Sequence, residues 1–195
     1  EIRLSLVGSE MCIRDRCLVR PIRTATIWAR DAVKAHTVAA ELSQELGFDV
    51  RAVQDAGAAV SGADVIVTTT PATSPVLEAA WLRPGQHVTA MGSDQEHKNE
   101  IDPACFSKAD LYVPDRLSQT RTLGELRSAI AAGQIPAETD FAELGAIVSG
   151  AVPGRTAPDQ ITIADLTGTG VQDTAIATHA RQRASHAGLG TNFES

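Results

Sequence analysis

The 195-residue chain lacks any apolar run close to the roughly 20 residues that a bilayer-crossing helix needs. Its longest candidates are short, such as Val65-Ile66-Val67, and polar residues bound them, so no membrane partner is expected. No basic segment followed by an apolar stretch marks a secretory signal. Cysteine is scarce and odd in number. Cys12, Cys17 and Cys105 match no zinc or redox spacing, and they read as idle thiols of a reducing, cytoplasmic compartment. The five histidines, among them His36, His87, His97 and His179, form no ligand spacing, so no metal is expected. Basic residues are in deficit: 17 Lys and Arg stand against 24 Asp and Glu, for a net charge of -7. That balance argues against a nucleic-acid partner, which needs clustered cations. Arg14, Arg16, Arg20 and Arg23 are near neighbours, but they are interrupted and lack interleaved aromatics. There is no internal repeat and no low-complexity tract.

What is present alternates. Ala25–Trp28 is a short β-type run. Asp31 can N-cap the segment after it, where Val33, Val38, Leu42 and Leu46 recur at helical spacing up to a Gly47 stop. Phe48–Val53 reads as a second strand and Gln54–Ser61 as a short helix. Ala63–Val67 is a continuous apolar strand of the kind buried on both faces of a parallel sheet. Further strands are expected at Gln86–Met91, Ala109–Val113 and Ile161–Ala164. Helices are expected over Leu117–Ala132, ended by Gly133, near Phe141–Val148, and from about Gly170 onward. Strands alternating with helices specify an α/β fold, a Rossmann-type doubly wound parallel sheet. The small, polar tail from Ala187 to Ser195 is expected to fray.

Open α/β sheets bind ligands at the carboxyl ends of their strands. Those ends here are Arg30-Asp31, Thr68–Pro71, Gly92-Ser93-Asp94 and Asp165–Gly168. Each has a bland reading: threonines favour strands, Gly92 makes a turn, and Asp94 caps a turn or helix. Four such clusters at one edge favour a site. Asp94, a carboxylate following Gly92 where a crevice would shield it from water, can relay protons from an ammonium. Lys98 is either a ligand of that site or part of a solvated charged loop.

Several ordered motifs carry a resemblance. They are Gly92-Ser93-Asp94, Lys98-Asn99-Glu100-Ile101, Asp115–Arg121 with Gly124-Glu125, and Asp165-Leu166-Thr167-Gly168 through Val171-Gln172-Asp173. Together they resemble the ornithine cyclodeaminase and mu-crystallin family from about Cys17 to Ala180, most nearly its cyclodeaminase-like members from ectoine-utilisation operons. The resemblance implies that Asp94 is the catalytic acid/base beside the substrate amine. It implies that Lys98 and Thr70 hold the dinucleotide, NAD or NADP. By the same resemblance Val88, Thr89, Ala90 and Met91 line the nicotinamide side, with Leu166 and Thr167 near the nicotinamide and substrate. The implied partners are a small amino-acid substrate and a second copy in a homodimer.

Two departures qualify this. The family's glycine-rich turn, where backbone N–H groups approach the pyrophosphate, falls at Leu6-Val7-Gly8-Ser9-Glu10-Met11, in which Gly8 stands alone and Glu10 would repel phosphate. Leu4–Arg16 resembles the translated read-through of a sequencing adapter; residues 1–16 are therefore expected to be non-native, against the competing reading of Gly8 as a degenerate turn. The family's N-terminal substrate region, source of a substrate-binding arginine and a site lysine, has no counterpart before Cys17. The expected organisation is thus a dinucleotide-binding domain over 17–168 and a helix and tail over 169–195 that belong to a substrate and dimerisation domain. The chain as given is expected to bind dinucleotide weakly or not at all, and not to turn over.

Cofactor choice rests on Arg30 and Asp31, which end the strand after the expected glycine turn. An acidic residue there bonds the adenosine ribose of NAD, and a basic one accommodates the 2′-phosphate of NADP. Register decides which of the two faces the ribose, and Asp31 can instead serve only as a helix cap. Three functions follow: a cyclodeaminase-type lyase acting on a diamino acid, an amino-acid dehydrogenase or imine reductase on the same scaffold, and a non-catalytic NADP-binding protein. Asp94 disfavours the third.

Overall fold

Asp31 accepts the backbone N–H of Lys34 at 3.1 Å and so caps α2 (Ala32–Leu46), which Gly47 closes at φ 72°. Between these signals Ala35, Val38, Ala39 and Leu42 fall on one face and are buried. That face covers a two-stranded parallel sheet, β1 (Thr24–Trp28) and β2 (Asp49–Val53), and makes a small core with Ile27 and Val50. Truncating Leu42, 1% exposed, to Ala would cost about 2–5 kcal/mol. The computed structural model describes residues 3–191. Among them, no helix is long and apolar enough to cross a membrane.

Asp55 caps α3 (Ala56–Ser61), which leads into β3 (Val65–Thr68) of a second, larger sheet. Its other strands are β4 (His87–Ala90), β5 (Leu111–Pro114) and β6 (Thr162–Asp165), all parallel, in the order β3-β4-β6-β5. Val88 and Ile163, both 0% exposed, sit at the middle of a core completed by Leu77, Ile101 and Leu126. The pairing puts Thr68, Ala90, Asp165 and Pro114 in one row, so four strands end together at one edge. The ladder runs one residue further, through Met91 N–H to Thr68 O, Leu166 N–H to Ala90 O, and Asp115 N–H to Asp165 O.

The α/β reading with parallel strands therefore holds, and the strands and α2 lie within two residues of their expected places. Several features differ. The hydrogen-bonded sheet divides between β1 and β3, and a cavity of about 130 Å³ lined by Thr26, Trp28, Val60, Ile66 and Thr70 opens between them. Residues Arg3–Val19 form a helix, α1, that runs through the place of the family's glycine-rich turn. The single helix expected over Leu117–Ala132 is broken into α5 (Leu117–Thr120) and α6 (Glu125–Ala131). The break has a physical cause. Leu126 N–H donates to the buried Asp165 carboxylate at 3.1 Å, and a Cβ on Gly124 would lie 2.8 Å from that same carboxylate. Docking the start of α6 on Asp165 takes precedence over a continuous helix. A 3-10 turn (Ala79–Trp81) and the one-turn α4 (Cys105–Lys108) also formed where no helix was expected. After β5 and β6 come α7 (Leu144–Val148) and α8 (Gly170–His186), the latter with no buried residue.

Candidate active site

The row of strand ends is tied together by buried carboxylates. Glu100, 0% exposed, accepts from Thr68 Oγ1 and Gly92 N, both at 2.7 Å, and from Thr70 N. One side chain thus gathers the ends of β3 and β4. A Cβ on Gly92 would come within 2.2 Å of Thr70 O and 2.4 Å of Glu100 Cδ, so only glycine allows this closure. Glu125, at the start of α6 and also 0% exposed, accepts from Ser93 Oγ, Asn99 Nδ2 (2.6 Å), Glu100 N (2.8 Å) and Ile101 N (3.3 Å). Burial pushes its pKa up, and hydrogen bonds from Ser93 and the backbone oppose that rise. Asp165 accepts from Tyr112 Oη at 2.7 Å, and burial with the nearby Glu125 charge pushes its carboxyl up to about 8. Asp115 accepts from Thr167 N and Oγ1 and from Gly168 N at 2.9–3.0 Å, which fixes the turn after β6.

Between the two glutamates runs the loop 92–101. It carries Asp94, whose carboxylate meets Lys98 Nζ at 2.5 Å. The Asp94 side chain is 51% exposed and that of Lys98 only 16%. The shielded carboxylate expected at this place is therefore not found. Asp94 stands at the rim, in water, held by a lysine whose own carbonyl accepts from Arg127 at 2.8 Å.

The residues singled out from sequence fall into two groups. Thr70, Met91, Asp94, Lys98, Leu166 and Thr167 all lie at the carboxyl edge of the larger sheet, on loops that Glu100, Glu125 and Asp115 hold. Val88 and Ala90 turn inward instead. They are 0% and 1% exposed within the core, so only their backbone faces the ladder. Thr89 is buried on the opposite sheet face with His87 and Arg16. Alternation along β4 explains this split: of four successive residues named from the strand, only the last reaches the edge. Arg30 and Asp31 follow β1 in the smaller sheet. Asp31 is engaged with Lys34 as the cap of α2, and Arg30 is exposed.

The edge fits a dinucleotide unevenly. At one part of it Thr70, Met91, Leu166 and Thr167 stand together just past the ends of β3, β4 and β6. At the pyrophosphate end, Gly8 lies inside α1, where backbone N–H groups are spent on helix bonds; the residues present do not fit that part. Glu100, Glu125, Asp115 and Asp165 were quoted within motifs but given no role from sequence. A signal did exist: an acid flanked by core positions, such as Glu100 before Ile101 and Glu125 before Leu126, is rarely buried without a dedicated set of donors.

Comparison with known proteins places this arrangement. The family model of the ornithine cyclodeaminase/mu-crystallin family matches residues 9–188. A provisionally named dehydrogenase of Rhizobium meliloti (strain 1021) is 64% identical over 178 residues, covering 91% of this chain and 54% of the relative. An uncharacterised cyclodeaminase of Sinorhizobium fredii (strain NBRC 101917 / NGR234) is 57% identical over 189 residues, covering 97% and 57%. This chain thus spans little more than half the length of the curated relatives it matches. Among solved structures, Thermococcus litoralis Delta(1)-pyrroline-2-carboxylate reductase in complex with NADH and L-proline superposes with a TM-score of 0.89 at 27% identity, over 96% of this chain and 58% of that one. With its motifs, its parallel sheets and a match over most of its length, the chain belongs to the ornithine cyclodeaminase/mu-crystallin family.

Proposed function

We propose that the full-length protein carrying this chain is an NAD(P)-dependent cyclodeaminase. Its substrate is a diamino acid such as ornithine, its products are a cyclic imino acid and ammonia, and its setting is cytoplasmic amino-acid metabolism of the ectoine-utilisation type. The observation that carries this reading is the position of Asp94: an accessible carboxylate on a tethered loop, at the edge where four strands end, paired with Lys98. The relative named as a cyclodeaminase, at 57% identity, supports it. When bound, the dinucleotide supplies a reversible hydride acceptor. The chain's own residues handle protons and position. Asp94 takes a proton from the substrate ammonium and returns it to the leaving amine, Lys98 holds Asp94 at the rim, and Thr70, Met91, Leu166 and Thr167 line the nicotinamide side. In this reading substrate carboxylate binding and dimerisation belong to a substrate domain to which α8 contributes, its Val171 and Ile176 being exposed here.

The test is stoichiometric. Purified full-length protein given L-ornithine and a trace of NAD should release ammonia with no net NADH. NADH accumulating in step with product would replace this reading with the second one, an amino-acid dehydrogenase or imine reductase, which the similarity to the Thermococcus litoralis reductase favours.

A further inference from the structure

We propose that Glu125 is the positioning residue for Asp94: from the first turn of α6 it fixes the loop 92–101 and so sets where the proton-carrying carboxylate stands. This rests on the reading of Asp94 given above. Glu125 touches neither Asp94 nor the open edge. Its two oxygens collect four donors from both limbs of the loop, Ser93 Oγ and Glu100 N on one oxygen, Asn99 Nδ2 and Ile101 N on the other. Ser93 immediately precedes Asp94, and Asn99 immediately follows Lys98. The residues on either side of the Asp94–Lys98 segment are therefore pinned to the same buried carboxylate. Glu100 closes the loop's first residue against β3 through Gly92 N at 2.7 Å, and Arg127, two residues along α6 from Glu125, holds Lys98 O. An exposed acid is thereby mounted on a fully buried frame, which converts a mobile rim residue into one of fixed place.

The chemistry of the frame requires an acceptor on both sides. All four groups reach Glu125 as donors. The two backbone N–H groups have no acceptor to offer, and turning the Asn99 amide would set its oxygen against Ile101 O, to which Nδ2 also donates at 2.9 Å. Glutamine at 125 would direct its own NH₂ at one of these pairs. It therefore loses at least one tether at almost unchanged volume. Misplacing a reacting group by about 1 Å costs on the order of a hundredfold in rate.

The experiment compares full-length wild type with Glu125→Gln, and with Ser93→Ala, which removes one tether and keeps the carboxylate. Gln86→Met is the stability control. Gln86 is buried at the far end of β4 and donates to Val60 O and Ala63 O, remote from the loop. Two readouts are taken, the kcat and KM of ammonia release and amide hydrogen exchange across residues 92–101. The expected result for Glu125→Gln is a kcat lower by about a hundredfold, with KM changed by no more than about threefold, and faster exchange confined to that loop. Ser93→Ala should follow in the same sense and by less, and it decides the matter should Glu125→Gln fail to fold. Gln86→Met should lower the melting temperature and leave kcat and loop exchange as in wild type. Loop exchange unchanged in both loop variants overturns the positioning role, as does a kcat loss no larger than in Gln86→Met. A wild type that turns over no diamino acid sinks the proposed function instead, and the exchange data still decide the role of Glu125.

Discussion

Replacing Gly92 by alanine adds one methyl group at the most crowded point of the strand-end row. That Cβ would sit 2.2 Å from Thr70 O and 2.4 Å from Glu100 Cδ. Ordinary van der Waals contact needs more than 1 Å of extra room, and neither neighbour can yield cheaply. One is backbone at the end of β3; the other is a carboxylate held by Thr68, Thr70 and Gly92 itself. Overpacking of this kind costs about 1–3 kcal/mol. Relief by moving the loop also breaks the Gly92 N–H bond to Glu100, worth about 1.5–3 kcal/mol as a charged hydrogen bond. The sum is about 2.5–6 kcal/mol, a large part of a domain's stability. Urea unfolding followed by circular dichroism measures it through the midpoint at unchanged slope. Gly145→Ala is the matched control. Nothing lies within 4 Å of its added Cβ and its φ is not positive, so it should leave stability unchanged or raise it by up to about 1 kcal/mol. A Gly92→Ala variant within about 0.5 kcal/mol of its parent would refute the argument that the two strand ends are closed over this glycine.

In the full-length protein, Asp94→Asn should abolish ammonia release while dinucleotide affinity, read by calorimetry, survives; near-normal turnover would return Asp94 to a loop-capping role. Because Asp31 is occupied in capping α2, exposed Arg30 is the residue open to a ribose phosphate. NADP should bind the full-length protein more tightly than NAD, and Arg30→Ala should cost NADP alone about tenfold; equal losses for both cofactors would rule this out. Asp165 is protonated more readily folded than unfolded, its carboxyl being raised to about 8 by burial and the Glu125 charge. Between the ordinary carboxylate range and pH 8 the folded state holds the extra proton, so its contribution to stability falls as pH rises through that window. Asp165→Asn should flatten the stability profile from pH 5 to 8, and a profile as steep as wild type would count against it.

Much of this was legible from residue order, for reasons that differ by element. The segment over α2 announced itself through a cap, a periodic apolar face and a glycine stop, all local signals. Strand ends rich in Gly, Thr and Asp located the edge, because in a parallel sheet all strands finish on one side. Long-range facts stayed hidden. That α5 and α6 are two helices depends on Asp165, some forty residues later, accepting the Leu126 N–H. That Val88 and Ala90 face the core while Met91 reaches the edge depends on register, and a run of four apolar or neutral residues does not reveal register. Glu100 and Glu125 showed in sequence only as acids set before core positions; the frame they build stayed hidden, because the donors that satisfy them come from elsewhere in the chain, which no spacing encodes. The rim exposure of Asp94 follows from that frame: the loop's ends are drawn inward and its middle is turned out.

The division of the hydrogen-bonded sheet between β1 and β3 has a consequence for how the molecule comes apart. Each sheet has its own apolar core: Ile27, Leu42 and Val50 in the smaller, and Val88, Ile163 and Leu126 in the larger. With no backbone ladder crossing the gap, the α2–β1–β2 unit can open as a separate cooperative block at a lower free energy than global unfolding. Arg30 lies just after the first strand of that block, while Asp94 belongs to the other. Discrimination between the two dinucleotides would then be lost under mild heat or denaturant before the proton-handling loop is disturbed, so cofactor selectivity and catalytic competence would melt at different temperatures.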